Sequence, residues 1–169
     1  SRGIGRAIAI ELGRAGAKVI VNYRSSGQQA EEVVQLIPNA KAIQADVSTT
    51  EGCQKLLAVA EEWGGIDILV NNAGITDDGL TMRMSDEQFD NVMRVNAGGA
   101  FRMSRAALPL MARQRSGSII NLASVSAFRG NPGQLNYAAS KAAVLAMTRC
   151  LAQEMGKRKI RVNAVAPGL

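Results

Sequence analysis

The sequence predicts an α/β protein of the doubly wound class, a parallel sheet covered by helices on both faces. Two observations lead there. Short β-rich apolar runs alternate with long amphipathic stretches along the whole chain, and the chain opens in a glycine-rich turn that leads straight into the first of those stretches. With 169 residues, 47% hydrophobic and 20% charged, the chain is read as one domain, residues 1–169, large enough to bury a core.

Taken in order, Gly5–Ala15 reads as a helix and Lys18–Asn22 (KVIVN) as a strand buried on both faces. A helical stretch near Gln28–Ile37, a strand Ala40–Ala45 and a helix Thr50–Trp63 follow, then a strand Ile66–Val70 running into Asn71-Asn72-Ala73-Gly74. Ser85 is placed as the N-cap of a long helix, with Glu87 in its first turn where a carboxylate suits the helix dipole. Ser118–Leu122 is the next strand, Tyr137–Met155 a further helix, and Arg161–Ala166 a last strand stopped by Pro167-Gly168. A doubly wound sheet normally delivers its glycine-rich turn from a strand, and here the turn begins at Ser1, so the first strand and the turn's first glycine are expected to lie outside the sequence.

Composition narrows the chemistry. There is no histidine, which removes Ser-His-Asp and Cys-His mechanisms and His-ligated metals. Cys53 and Cys150 stand alone in helical segments without CxxC spacing and are read as small buried hydrophobes, so no metal site is expected. No apolar run approaches a membrane span and the first residues lack a signal-peptide layout, which places the protein in the cytoplasm and off the membrane. The net charge of +6 is scattered and aromatic content is 4%, without the stacking platform or basic tract of a nucleic-acid binder.

Glycines in Ser1-Arg2-Gly3-Ile4-Gly5 let backbone N–H groups approach a pyrophosphate at the positive end of the helix, although an ordinary tight turn reads the same way. After KVIVN, a carboxylate would take a ribose 2′-hydroxyl and a cation a 2′-phosphate. The segment Tyr23-Arg24-Ser25-Ser26 has no carboxylate, so Arg24, helped by Arg2, favours NADP(H), against the reading of a solvated surface arginine. Asp46 could accept from an adenine amino group with Val47 offering its N–H, or could cap the helix that follows. Asn71-Asn72-Ala73-Gly74 could set backbone against a ribose while its Asn side chains tie neighbouring strands together, or form a plain turn.

Tyr137 and Lys141 are four apart on a helix, hence on one face, and Ser124 follows a strand end. A phenol is a poor acid at neutral pH, but a fixed ammonium nearby stabilises its phenolate and makes it a usable proton donor. Ser124 could hydrogen-bond a substrate carbonyl oxygen, which makes the three a carbonyl-reducing set; Y-x-x-x-K by itself is also an ordinary surface pair.

In order, SRGIG, NNAG, Asn96, Ser124, Tyr137 with Lys141, and Pro167-Gly168 resemble the short-chain dehydrogenase/reductase pattern along essentially the whole chain. The resemblance implies a Rossmann-type sheet, with Tyr137 as acid/base, Lys141 on the nicotinamide ribose, Ser124 on the substrate, and Asn96 in a water-linked proton relay toward Lys141. Within the family, NAGITDDGLTMRM (72–84) and GNPGQLNYAASKAAV (130–144) are similar to the 3-oxoacyl-[acyl-carrier-protein] reductases of fatty acid synthesis. That implies NADPH-dependent reduction of a 3-oxoacyl thioester by a homotetramer built through the Ser85–Ala112 region and the Tyr137–Met155 helix. It also implies a substrate-covering helix and a final strand beyond Leu169. An acidic carrier protein calls for basic groups near the site mouth, and Arg115 and Arg158 stand where they could supply them. Two other readings stay open: a short-chain reductase of another carbonyl, such as a polyketide, an acyl-CoA or a sugar, and a non-catalytic NADP(H)-binding subunit.

Overall fold

The computed structural model describes residues 3–168, which divide between Gly64 and Gly65 into two compact units. The first unit runs α1 (Gly3–Arg14), β1 (Val19–Tyr23), α2 (Gly27–Val34), β2 (Ala40–Gln44) and α3 (Thr50–Glu62). β1 and β2 pair in parallel, Val19 opposite Ala40 and Val21 opposite Ala42. That register puts Val19, Val21, Tyr23, Ala40 and Ala42 on one face, where they meet Ile10 of α1 and Ala30 and Val33 of α2, with Ile37 beside them. α3 packs on β1 without joining that cluster, presenting its own buried row Cys53, Leu56 and Ala60.

The KVIVN strand is less buried than its composition suggests. Only Val21 is fully buried and its neighbours are half-buried, since within its unit β1 is bonded to β2 alone.

The second unit contains β3 (Ile68–Asn71), α4 (Asp86–Gln114), β4 (Gly117–Leu122), the short α5 (Ser126–Arg129), α6 (Leu135–Met155) and β5 (Ile160–Val165). Its sheet is parallel in the order β3-β4-β5, and central β4 is the most buried of the three. α4 starts where the sequence places it: Ser85 Oγ accepts from Gln88 N and Gln88 Oε1 accepts from Ser85 N, a reciprocal cap that goes beyond the single N-cap expected. Val92, Val95, Asn96, Gly99, Met103, Ala107 and Met111 recur at three- and four-residue steps, which is the face α4 turns inward. On α6 the buried row is Asn136, Ser140, Lys141, Val144 and Thr148. Cys150 lies off that row and is exposed, correcting the expectation that both cysteines are buried; Cys53 is buried as expected.

A chain of hydrogen-bonded polar side chains, all buried except half-buried Asn71, crosses this unit. Asn71 Nδ2 donates to Asn121 Oδ1 (2.8 Å) and to Ser104 Oγ (3.0 Å), Asn121 Nδ2 donates to Thr148 Oγ1 (2.9 Å), and that hydroxyl donates to Val144 O (2.7 Å). Asn71 and Asn121 are also register partners of β3 and β4, so a one-residue slip would break these bonds as well as the alternation of faces. Both β3 and β4 end in the loops that carry the candidate site.

Candidate active site

The first unit holds one group of the residues singled out from sequence. Helix α1 begins at Gly3, two residues earlier than read, so Gly3, Ile4 and Gly5 form its first turn, where backbone N–H groups have no partner within the helix. Ser1 and Arg2 lie outside the described residues. Arg24 follows β1 and is exposed, its backbone carbonyl accepting from Gln44 Nε2 at 3.0 Å. Asp46 is not the N-cap of α3: Thr49 is, its Oγ1 accepting from Gly52 N (3.0 Å), while Asp46 Oδ1 accepts from Ser48 N (2.8 Å) and shapes the turn ahead of the helix. Val47 sits half-buried in that turn.

The second unit brings its own group closely together. Helical spacing places Lys141 Nζ 5.8 Å from the centroid of the Tyr137 ring, and Lys141 is buried while the Tyr137 side chain is partly open. Lys141 Nζ donates to Leu122 O at 2.6 Å, where β4 ends two residues before Ser124. A Cβ placed on Gly74 would stand 3.2 Å from Asn96 Oδ1 and 3.6 Å from Lys141 Nζ, so bare backbone runs beside the ammonium.

Ser124 is buried, and its Oγ accepts from Ser126 N at 3.2 Å. A hydroxyl that accepts in this way keeps its own hydrogen to donate. Pro167 O accepts from Val125 N, and a Cβ on Gly168 would collide with the Val125 side chain, so the end of β5 is pressed against the Ser124 loop. Asn96 holds the loop after β3 to α6: Ile75 N donates to its Oδ1 (2.8 Å), and its Nδ2 donates to Ile75 O (3.0 Å) and Ser140 Oγ (3.0 Å). Both amide hydrogens are thus used, while Oδ1 keeps a second lone pair. Arg115 and Arg158 are exposed, the first at the left-handed C-cap of α4 (φ 53°) and the second in the 3₁₀ turn Gly156–Arg158.

Burial brings Lys141 down from 10.5 to about 8, because removing the ammonium from water disfavours its charge. It is therefore still mainly an ammonium at neutral pH, as support of a phenolate requires. Between about 8 and 10.5 the unfolded chain holds a proton that the folded one has released, so this residue makes stability rise with pH across that window. In the cofactor-free protein, the difference in unfolding free energy between the parent and Lys141→Met is expected to shift in favour of the parent by about 3 kcal/mol from pH 7.5 to pH 10.5. Urea titrations at several pH values check this, and a flat difference would mean that the folded lysine titrates like a free one.

Each unit by itself offers groups that suit one part of a nicotinamide dinucleotide. In the second unit only one of the three ammonium hydrogens of Lys141 is used among the described residues and Gly74 leaves open backbone beside it; in the first unit the α1 first turn has N–H groups without a partner inside the helix, which suit an anion.

Residues 1–169 match the family described as short chain dehydrogenase. The chain is 48% identical to a 3-oxoacyl-[acyl-carrier-protein] reductase of Staphylococcus aureus, with 99% of this chain and 70% of that protein covered. It is 45% identical to a 3-oxoacyl-[acyl-carrier-protein] reductase of a Synechocystis species over the same shares. Among solved structures, a proposed short-chain alcohol dehydrogenase from Sinorhizobium meliloti superposes with a TM-score of 0.94 at 40% identity, covering 99% of this chain and 68% of that one.

Proposed function

Because the chain belongs to the short-chain dehydrogenase family, and so is an oxidoreductase working with a nicotinamide cofactor, we propose that it uses NADPH to reduce a 3-oxoacyl thioester carried by acyl carrier protein to the 3-hydroxyacyl thioester of fatty acid synthesis. The observation that carries the reading is the Tyr137–Lys141 pair, a partly open phenol beside a buried ammonium fastened to Leu122 O.

When bound, the reduced nicotinamide supplies the hydride to the 3-keto carbon. The carbonyl π pair then goes to oxygen, which takes the phenolic proton of Tyr137 and becomes the 3-hydroxyl. Lys141 lowers the cost of the phenolate left behind and, with its two remaining hydrogens, holds the nicotinamide ribose. Ser124 donates to the carbonyl oxygen and polarises it. Asn96 is assigned to a water-linked proton relay toward Lys141 and, by holding Ile75 on both sides, also fixes the backbone beside it.

We assign the pyrophosphate to Gly3, Ile4 and Gly5, with Ser1 and Arg2 ahead of them, the 2′-phosphate to Arg24, the adenine to Asp46 and Val47, and the nicotinamide half to Asn72, Ala73, Gly74, Pro167 and Gly168. Residues 1–169 then act as one dinucleotide-binding and catalytic domain. Arg115 and Arg158, both exposed, are assigned to the acidic carrier protein. We place the enzyme in the cytoplasm as a homotetramer built through α4 and α6; half-exposed Phe101 on α4, with Arg105 stacked on it at 5.0 Å, suits a covered position. No helix among the described residues is long and apolar enough to cross a membrane.

The test is the rate of cofactor oxidation with an acetoacetyl thioester, with NADPH and NADH in parallel. Turnover is expected with a preference for NADPH of at least about tenfold, the worth of one charge-assisted contact to the 2′-phosphate. Equal use of NADH would remove Arg24 from its role, and cofactor binding without turnover on any carbonyl would favour a non-catalytic subunit.

A further inference from the structure

Tyr137 is the third residue of α6, a position whose N–H has no partner within the helix. The usual remedy is an N-cap side chain, but Gln134, the N-cap here, makes no such bond. The acceptor comes instead from inside the helix: Asn136 Oδ1 takes Tyr137 N at 2.7 Å. Asn136 is completely buried, and its Nδ2 donates to Asp77 O (2.9 Å) in the loop after β3 and, at 3.4 Å, to Gln88 O in the first turn of α4. Gln88 Nε2 in turn donates to Asp77 Oδ1 at 2.9 Å, so the anchor is itself braced.

The other side of Tyr137 is held in the same manner. Ser140 Oγ donates to Tyr137 O at 2.7 Å while accepting from Asn96 Nδ2 at 3.0 Å, and Asn96 grips Ile75 through both of its peptide groups. The N–H and the C=O of one residue are thus each tied by a fully buried side chain, and both ties lead to the loop after β3, at Ile75 and Asp77. Nothing in the packing of an amphipathic helix requires this: the first turn could be completed by water or a surface cap, and the buried face could be apolar.

We infer that Asn136 and Ser140 are positioning residues that clamp the backbone of Tyr137 and so fix where its phenol meets the substrate. This rests on the reductase reading above. A general acid placed about 1 Å away from its productive position loses on the order of 10²-fold in rate without any change in its chemistry. Such a loss falls on the chemical step and spares binding, because neither side chain is assigned a contact with cofactor or substrate.

The experiment compares Asn136→Ala, Ser140→Ala and Tyr137→Phe with the parent, with kcat and KM for NADPH and thioester, and thermal unfolding of each protein, all measured. For the two clamp variants kcat is expected to fall about 10- to 100-fold with both KM values within about twofold of the parent. If Asn136→Ala does not fold, Ser140→Ala decides alone, since it removes only one hydroxyl. Parental kcat in a folded clamp variant, alongside an inactive Tyr137→Phe, overturns the clamp and leaves the reductase reading standing. A fall in activity that matches the fraction unfolded at the assay temperature also overturns it, because the bonds would then be merely structural. An active Tyr137→Phe enzyme overturns the reductase reading itself, and the clamp with it.

Discussion

Replacing Tyr137 with Phe is expected to reduce kcat for thioester reduction by about 10³-fold, within the range that a positioned general acid contributes. The ring stays and only the hydroxyl goes. Among the described residues that hydroxyl makes no hydrogen bond, so its loss leaves no buried partner unsatisfied, and unfolding stability is expected to change by less than about 0.5 kcal/mol. Lys141 still has Leu122 O and its other hydrogens, so NADPH binding is expected to persist. The two measurements are single-turnover kinetics and cofactor titration on the same preparation. Loss of turnover with retained binding assigns the proton to Tyr137, whereas unchanged turnover would send the search for the donor elsewhere in the loop that carries Ser124.

The second large effect lies in the first unit. A Cβ on Gly52 would stand 2.0 Å from Asp46 O and 2.7 Å from Asp46 C, and backbone cannot swing aside as the end of a side chain can. The same carbonyl accepts from Thr49 N (3.1 Å) and Thr49 Oγ1 (2.9 Å), so displacing it disturbs the cap of α3 as well. Gly52→Ala is therefore expected to cost about 3 kcal/mol or more, at the upper end of overpacking losses. It is also expected to weaken NADPH binding, since Asp46 and Val47 are the residues assigned to the adenine. Urea unfolding followed by Trp63 fluorescence, with a cofactor titration beside it, checks both; an unchanged midpoint would mean that the start of α3 shifts without cost.

Much of this fold is legible locally. The strand–helix alternation and Ser85 as a cap need only neighbouring residues to be read, and Tyr137 and Lys141 meet because helical geometry makes them. The boundaries that move do so for local reasons too: α6 begins two residues before Tyr137, and β3 begins at Ile68 rather than Ile66. The rest depends on partners distant in sequence. Leu122 O as the seat of Lys141 and Asn136 reaching Asp77 and Gln88 leave no mark on periodicity, and a tie between strands from the Asn pair after β3 is readable only without its partner, which proves to be Asn121, 50 residues on. Asn136 did carry one local signal: a small amide directly before the tyrosine, at the start of a helix without a Ser, Thr or Asp cap. Asp46 went the other way, since capping and adenine binding compete for one carboxylate in sequence, whereas Thr49 in fact caps the helix.

The polar chain from Ser104 through half-buried Asn71 and Asn121 to Thr148 governs how the second unit opens. α4, β3, β4 and α6 each contribute one member, and any one of them leaving would strand polar atoms of the others away from water. Partial opening is therefore costly, and the amide hydrogens of these four elements will exchange with solvent deuterons together, at a single rate set by loss of the entire unit, while those of exposed Leu80, Thr81 and Met82 exchange long before them.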